Sequence, residues 1–559
     1  MTSCDAKTLP RRLLEKARQA PGQAALWRKV RGVWEKISFQ AYLEAASEIA
    51  LALKADGVRA GDVVLVFGFN SPQWLMSDMA AMMCKARAAS LYPDMAPAER
   101  LDILRSLAPG IVFCGGHEQV DLILEAEASG ALVELRRIVC WDRTGLQNYA
   151  DGRLVFLDDY RSGGRADEDR KASLIGDIET AEPDDTAVIT LTRGVSGRVR
   201  PVELSHSALL SAGRRAASSA RPGGNRRNLA FLPFASSMAR QYSATLHLLT
   251  GEQLFFAEEG QGLVQAMQEV QPHTVALFPN GWMELTAALV KRLEQTPKLP
   301  SRLRLRSLRK PGAWLEQAVF HRGMRRYLGL GHIDNAVCFG GTADHETRII
   351  LDKLGTSLLY GYGVTELGGV THLSPTASRL LGSPLPDVAT SADSAGQICI
   401  AADARPFIVT GDCFEDPAEA VALGGRIEDM QTAKGGRIAL NRIEDRVCES
   451  RWIRHAAARV ESDTIELLIE IDADTIGRWA ADRKIPFTNF ASLAGRPEVQ
   501  ELVSSDIAWH MGDLAGAEII KGHVLLDEPL DLDAGELAPL YGIRRGQVAV
   551  RRVQAGGGK

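Results

Sequence analysis

No apolar run in this chain of 559 residues approaches the roughly 18 to 20 residues that a membrane-crossing helix needs, so a bilayer-spanning protein is not expected. The opening residues, MTSCDAKTLPRR, lack the charged-then-apolar order of a secretion leader. Excess positive charge is missing too. The 65 basic residues stand against 70 acidic ones, a net charge of -5, which leaves no electrostatic footprint for a nucleic-acid partner. Cysteine is sparse and dispersed: Cys4, Cys84, Cys114, Cys140, Cys338, Cys399, Cys413 and Cys448 contain no close pair of metal-knuckle or redox spacing. They read as reduced, mostly buried thiols. A cytoplasmic protein is the expectation, with peripheral membrane contact left open. No internal repeat and no low-complexity block appears. The one basic cluster, SRLRLRSLRK from Ser301 to Lys310, reads as a solvated face and is given no role.

What is present is ordinary globular material, 45% hydrophobic and 24% charged, enough for more than one core. Short runs rich in Val, Ile and Phe recur between longer helical patterns: DVVLVFGF from Asp62, GIVFC from Gly110, RRIVCWD from Arg136, TAVITLT from Thr186, NLAFLPF from Asn228 and TVALFP from Thr274. That alternation predicts strand-helix-strand units and buried, mainly parallel sheets. Asn70-Ser71-Pro72 is a helix-start signal ahead of WLMSDMAAMMCKA. Near Gly424-Gly425 the character changes, and TIELLIEID and EIIKGHVLLDEP become the clearest strands. The expected fold is a large N-terminal multi-sheet α/β domain over residues 1–425, followed by a smaller, mobile α+β lid domain over residues 426–559.

The segment TLTRGVSGRVRPVELSH, Thr190 to His206, reads as a Gly-punctuated loop between the strand TAVIT and a helix starting near Ser205. Such a loop turns backbone N–H groups toward a polyphosphate, and a following helix N-terminus favours negative charge. It is neither a Walker loop nor a nucleophile elbow. Taken alone, a glycine-rich turn is most often only a turn. Three more segments follow in order: Gly340-Gly341-Thr342, then LYGYGVTELGG from Leu359, then Thr410-Gly411-Asp412 with Gly425-Arg426-Ile427-Glu428-Asp429.

In joint register these segments resemble the adenylate-forming acyl-CoA synthetase superfamily, and the layout resembles its long-chain fatty-acid CoA ligases. Thr192, Gly194, Ser196 and Gly197 match its phosphate-binding loop, with Arg200 at the position of the loop lysine. Gly340, Gly341 and Thr342 match its Gly-Gly-Ala. Tyr362, Gly363, Thr365 and Glu366 match its Tyr-Gly-x-Thr-Glu motif without substitution. The resemblance implies that Tyr362 packs on adenine, Thr365 contacts the α-phosphate and Glu366 holds Mg2+. It further implies that Asp412 takes the ribose hydroxyls with Arg426 beside it, and that Asp429 is the hinge. KGGRIALNRIEDRV from Lys434 and ELAPLYGIRRGQV from Glu536 resemble the family's C-terminal stretches. ATP, Mg2+ and CoA are the implied cofactors, and a fatty or other carboxylic acid and CoA or an acyl carrier protein the implied partners.

Several positions depart from the pattern. Arg193 and Val195 replace hydroxyl residues, Val199 and Pro201 replace Pro and Gly, and Ser236 stands where the long-chain ligases commonly carry His. Pro201 removes an N–H. Gly542 falls where the family places its adenylation lysine, and Glu366, Asp412, Arg426 and Asp429 persist. Three readings follow: a working acid–thiol ligase, a catalytically silent relative that binds nucleotide, acyl group or partner, and an enzyme of the thiol-transfer half alone.

Overall fold

The computed structural model describes residues 7–165, 168–193, 199–220, 223–258, 260–295, 321–376, 381–414, 423–427, 430–433, 436–461, 464–512, 520–538 and 542–549. Cys4, the loop residues Gly194, Ser196 and Gly197, the basic run 301–310 and the expected hinge Asp429 lie outside the described residues.

Among the described residues, the apolar runs become strands. Val63–Phe67, Ile111–Cys114 and Thr274–Leu277 are buried at every position, as strands covered on both faces must be. A seven-stranded sheet runs in the order Leu154–Phe156, Arg137–Cys140, Ile111–Cys114, Val63–Phe67, Arg87–Ser90, Thr186–Arg193, Val199–Ser205. It is parallel up to its last pair, which is antiparallel. The helix Pro72–Met83 returns the chain between two of these strands, and its Ser71 cap accepts from Trp74 N at 3.1 Å as expected.

A nine-stranded sheet is ordered Val33–Ser38, Ala24–Val30, Gln253–Phe256, Arg227–Leu229, Thr274–Leu277, Asn335–Phe339, Leu359–Val364, Gly369–Ser374, Ser383–Pro384. Its centre is parallel, and Ala24–Val30 joins it beside Gln253–Phe256, with Leu26 opposite Leu254. The two sheets share one apolar core that includes Phe39, Tyr42, Trp74, Phe234 and Phe339. Inside that core, Arg240 donates to both oxygens of Asp78 at 2.9 and 2.8 Å, and its guanidinium lies over the Trp74 ring. A smaller antiparallel sheet, Val388–Ala392, Gln397–Ala402, Ile408–Phe414 and Leu423–Arg426, follows.

From Leu440 onward the chain packs into a core of its own, with Ile443, Val447, Ile465, Leu467, Ile469 and Val503 at its centre. Thr464–Ile471 and Ile520–Leu525 are the two strands expected there, and they pair in parallel. A third strand, Ile453–Glu461, joins them antiparallel and was not expected. The architecture is thus a large multi-sheet α/β region followed by a smaller α+β unit. The described cysteines are free thiols, all buried except the half-buried Cys448. No helix among the described residues is long and apolar enough to cross a membrane.

Candidate functional site

The expected loop from Thr190 to His206 requires a correction. Most of it is paired: Thr186–Arg193 and Val199–Ser205 form an antiparallel ladder, with Thr192 opposite Arg200 and Leu191 opposite Pro201. Residues 194–198 between them lie outside the described set. Val199–Ser205 is the outer strand of its sheet, where a proline without an N–H is tolerated. The donor that Pro201 lacks is therefore missing from a ladder edge, not from a phosphate-facing loop. Ser205 does start a helix, His206–Ser219, and its hydroxyl accepts from Ala208 N at 3.3 Å. His206 is buried and accepts from Leu9 N, and burial pushes its imidazole down to about 4, so it is a neutral core group.

Tyr362, Asp412 and Arg426 meet. Their strands bring them together: Tyr362 sits on Leu359–Val364, and Asp412 lies opposite Arg426 across the antiparallel pair of Ile408–Phe414 and Leu423–Arg426. The Tyr362 hydroxyl donates to Asp412 Oδ2 at 2.7 Å, and Arg426 Nε stands 3.9 Å from Asp412 Oδ1. Burial first, and the Asp412 charge second, raise the Tyr362 phenol well above its ordinary value, so it remains a donor. Thr410 Oγ1 accepts from Asp412 N at 3.1 Å and fixes the strand backbone through Gly411, whose φ is +79°.

Four residues beyond Tyr362 the strand ends in a short turn, Thr365–Leu367, and there Glu366 Oε1 accepts from the guanidinium of Arg200. The other oxygen of Glu366 has no hydrogen-bond or ion-pair partner among the described residues. Thr365 is half-buried beside it. Gly363 is required by contact, because a Cβ there would come within 2.1 Å of the Gly369 carbonyl oxygen. Gly340, Gly341 and Thr342 are exposed just past the strand Asn335–Phe339, whose Phe339 lies opposite Gly361. They therefore leave the sheet next to Tyr362, outside the carboxyl ends of parallel strands, where open α/β sheets bind ligands. Gly542 lies in a short antiparallel pair, opposite Ala538, within the C-terminal unit.

Two supporting residues left no signal in the sequence. Arg215, almost fully buried, donates to the Leu367 carbonyl at 2.7 Å and pairs with Asp403 at 3.0 Å, which holds the turn that carries Glu366. Gln241 accepts from Val370 N at 2.6 Å and donates to the carbonyls of Val370 and Ala212, which fixes the start of the next strand. Both sit in helical stretches far along the chain from the turn they brace. Ser236 is buried.

The family model for the AMP-binding enzyme matches residues 13–409, most of the chain. The chain belongs to the AMP-binding enzyme family. Curated relatives of this AMP-binding enzyme include the peroxisomal long chain acyl-CoA synthetase 7 of Arabidopsis thaliana, 23% identical over 92% of this chain and 81% of that protein. A long-chain-fatty-acid–CoA ligase of Mycobacterium bovis is 23% identical over 96% of this chain and 94% of that protein. Among solved structures, the didomain of a carboxylic acid reductase from Segniliparus rugosus in complex with AMP superimposes with a TM-score of 0.74 at 16% identity, covering 100% of this chain and 83% of that one. The o-succinylbenzoate coenzyme A synthetase of Bacillus subtilis, solved with ATP and magnesium, gives 0.65 at 15% identity over 96% and 99%. At those identities the structural likeness establishes the fold of this AMP-binding enzyme. Its sequence relatives place it among acyl-CoA synthetase-like, adenylate-forming proteins.

Proposed function

We propose that the protein is an acid–thiol ligase: it activates a medium- or long-chain carboxylic acid with ATP as the acyl-adenylate, releasing pyrophosphate, and passes the acyl group to CoA or a carrier thiol. The observation that carries this reading is the convergence of Tyr362, Asp412 and Arg426 beside a strand end whose next turn presents Glu366 to Arg200 of the outer strand Val199–Ser205. Asp412 accepts from the ribose hydroxyls, and Arg426 adds a charge-assisted bond. The loop Gly340–Thr342 and the Tyr362 ring border the adenine. The reading assigns the polyphosphate to Thr192, Gly194, Ser196 and Gly197, and the α-phosphate to Thr365.

A magnesium ion fits the donor set. Mg2+ is usually held by one or two carboxylates together with substrate phosphates and water, and among the described residues one Glu366 oxygen accepts no hydrogen bond after the other pairs with Arg200. When bound, the ion supplies charge neutralisation of the phosphates. Arg200 orients the Glu366 carboxylate and adds positive charge on the same side. The reading divides the chain into residues 1–425 and 426–559 with Asp429 as pivot, and the free thiols support a reducing, cytoplasmic compartment.

Gly542 favours a second reading, transfer from a preformed acyl-adenylate to the thiol, because a glycine brings no charge to the carboxylate being activated. The test is calorimetry of ATP with magnesium on wild type and Glu366→Ala, followed by acyl-AMP formation across an acid panel and conversion of synthetic acyl-AMP plus CoA. Binding that depends on Glu366 and yields acyl-AMP upholds the ligase. Conversion of acyl-AMP without its formation upholds the half-reaction. Neither binding nor conversion sinks both.

A further inference from the structure

Adjacent arginines near the C-terminus point in opposite directions. Arg545 turns back into its own unit and grips both oxygens of the buried Glu444, one of them at 2.6 Å. Arg544 turns away from that unit and donates to Glu99, on the helix Pro97–Leu107 of the N-terminal region. Both side chains of this second pair are only 16% exposed. The neighbouring helix residue, Arg100, is buried and donates to the Met95 carbonyl at 3.3 Å, within its own region.

The segment that carries Arg544 travels with the C-terminal unit. Leu537, Ile543 and Val548 pack against Ala457, Leu468, Leu526 and Leu530, and Arg544 N donates to the Glu536 carbonyl at 2.9 Å. Gly542 lies two residues before Arg544. At its far end the same helix borders the outer strand that holds Arg200: Ser106 and Leu107 line a cleft with Ile189, Pro201 and Glu203. The contacts therefore run from the tail to the strand whose Arg200 meets Glu366. A glycine at 542 has no side chain with which to hold the tail against the N-terminal region, so its placement falls to its neighbours.

We propose that Glu99–Arg544 is an interdomain latch that docks the Gly542 segment for the adenylation half-reaction, with Arg544 and Glu99 as positioning residues. The inference rests on the ligase reading for its catalytic consequence, but not for the contact itself. A rotation of the C-terminal unit breaks this charge pair, and two largely covered charges that lose each other have to rehydrate, so the latch is two-state rather than graded.

The test uses the full chain with Glu99→Arg, Arg544→Glu and the double exchange. Hydrogen–deuterium exchange of the helix 97–107 and of residues 536–549 reads the contact directly, and ATP–pyrophosphate exchange and acyl-AMP-plus-CoA turnover read the two half-reactions. Each single reversal is expected to speed amide exchange in both segments roughly tenfold and to lower adenylation while sparing transfer, and the double exchange to restore both. Unchanged protection in the single variants, a double exchange as exposed as the singles, or equal loss of both half-reactions overturns the proposal. A wild type that forms no acyl-AMP but shows the expected protection pattern keeps the latch and removes the ligase reading.

Discussion

The two ends of the candidate site are built differently. Around Tyr362 the side chains are placed by sheet register: Asp412 lies opposite Arg426, and Tyr362 reaches Asp412 from a neighbouring sheet. Around Glu366 the groups sit on a short turn and an edge strand, and they are held from outside by Arg215 and Gln241. Backbone ladders preorganise the first end, whereas the second depends on a few buried polar contacts. Substitution of one side chain should therefore be felt locally at the Tyr362 end and more widely at the Glu366 end.

Arg215→Met sharpens that contrast most. Loss of the guanidinium leaves Asp403 and the Leu367 carbonyl without their buried partner, and about 3–5 kcal/mol of stability should go with it in urea unfolding. A loss below about 1 kcal/mol would mean that the turn stands without outside support. Next come Glu366→Gln and Asp412→Asn, compared in calorimetry with and without magnesium. The first should weaken ATP only when magnesium is present and slow adenylation by about 100- to 1000-fold, and the second should weaken it in both conditions. Equal effects would merge the two ends into one.

The smallest expected effect is on pH dependence. His372 lies opposite Tyr362, bonds Thr371 and Thr390, and is pushed down to about 4 by burial. The unfolded chain takes up a proton near 6.5 that the folded state refuses, so the contribution to stability is complete above that value. It is lost as pH falls toward about 4, at no more than about 1.4 kcal/mol for each pH step of one. His206, His247 and His273 are lowered in the same direction, so the comparison is with His372→Asn. That variant should show a shallower loss of stability between pH 6.5 and 4; an identical slope would remove His372 from the account.

The central strands were readable from composition because a strand buried on both faces has little choice but Val, Ile, Phe and Ala. Val199–Ser205 was not, since an edge strand accepts Arg200, Pro201 and Glu203 and so looks like a loop. Ile453–Glu461, with three consecutive alanines, carries more helix than strand propensity, and its pairing comes from tertiary context. In the candidate site, Tyr362 and Glu366 were readable because they stand four residues apart in one uninterrupted motif, on a strand end and the turn that follows it, so a single sequence pattern names both. Arg215, Gln241 and Glu99 were not, because a helix residue that braces a distant turn leaves no local pattern. Gly194, Ser196, Gly197 and Asp429, all expected to serve the site, fall outside the described residues.

The strand Ala24–Val30 has a consequence for synthesis. Its parallel neighbour is Gln253–Phe256, so it leaves the ribosome long before the partner that completes its sheet. At about 5–20 residues per second the interval is roughly ten to fifty seconds. Through that time Ala25 and Leu26, fully buried in the finished protein, have only the neighbouring Val33–Ser38 to pair with, and the open edge invites another nascent chain. Production of this protein should therefore respond to chaperone supply more than to any property of its active site.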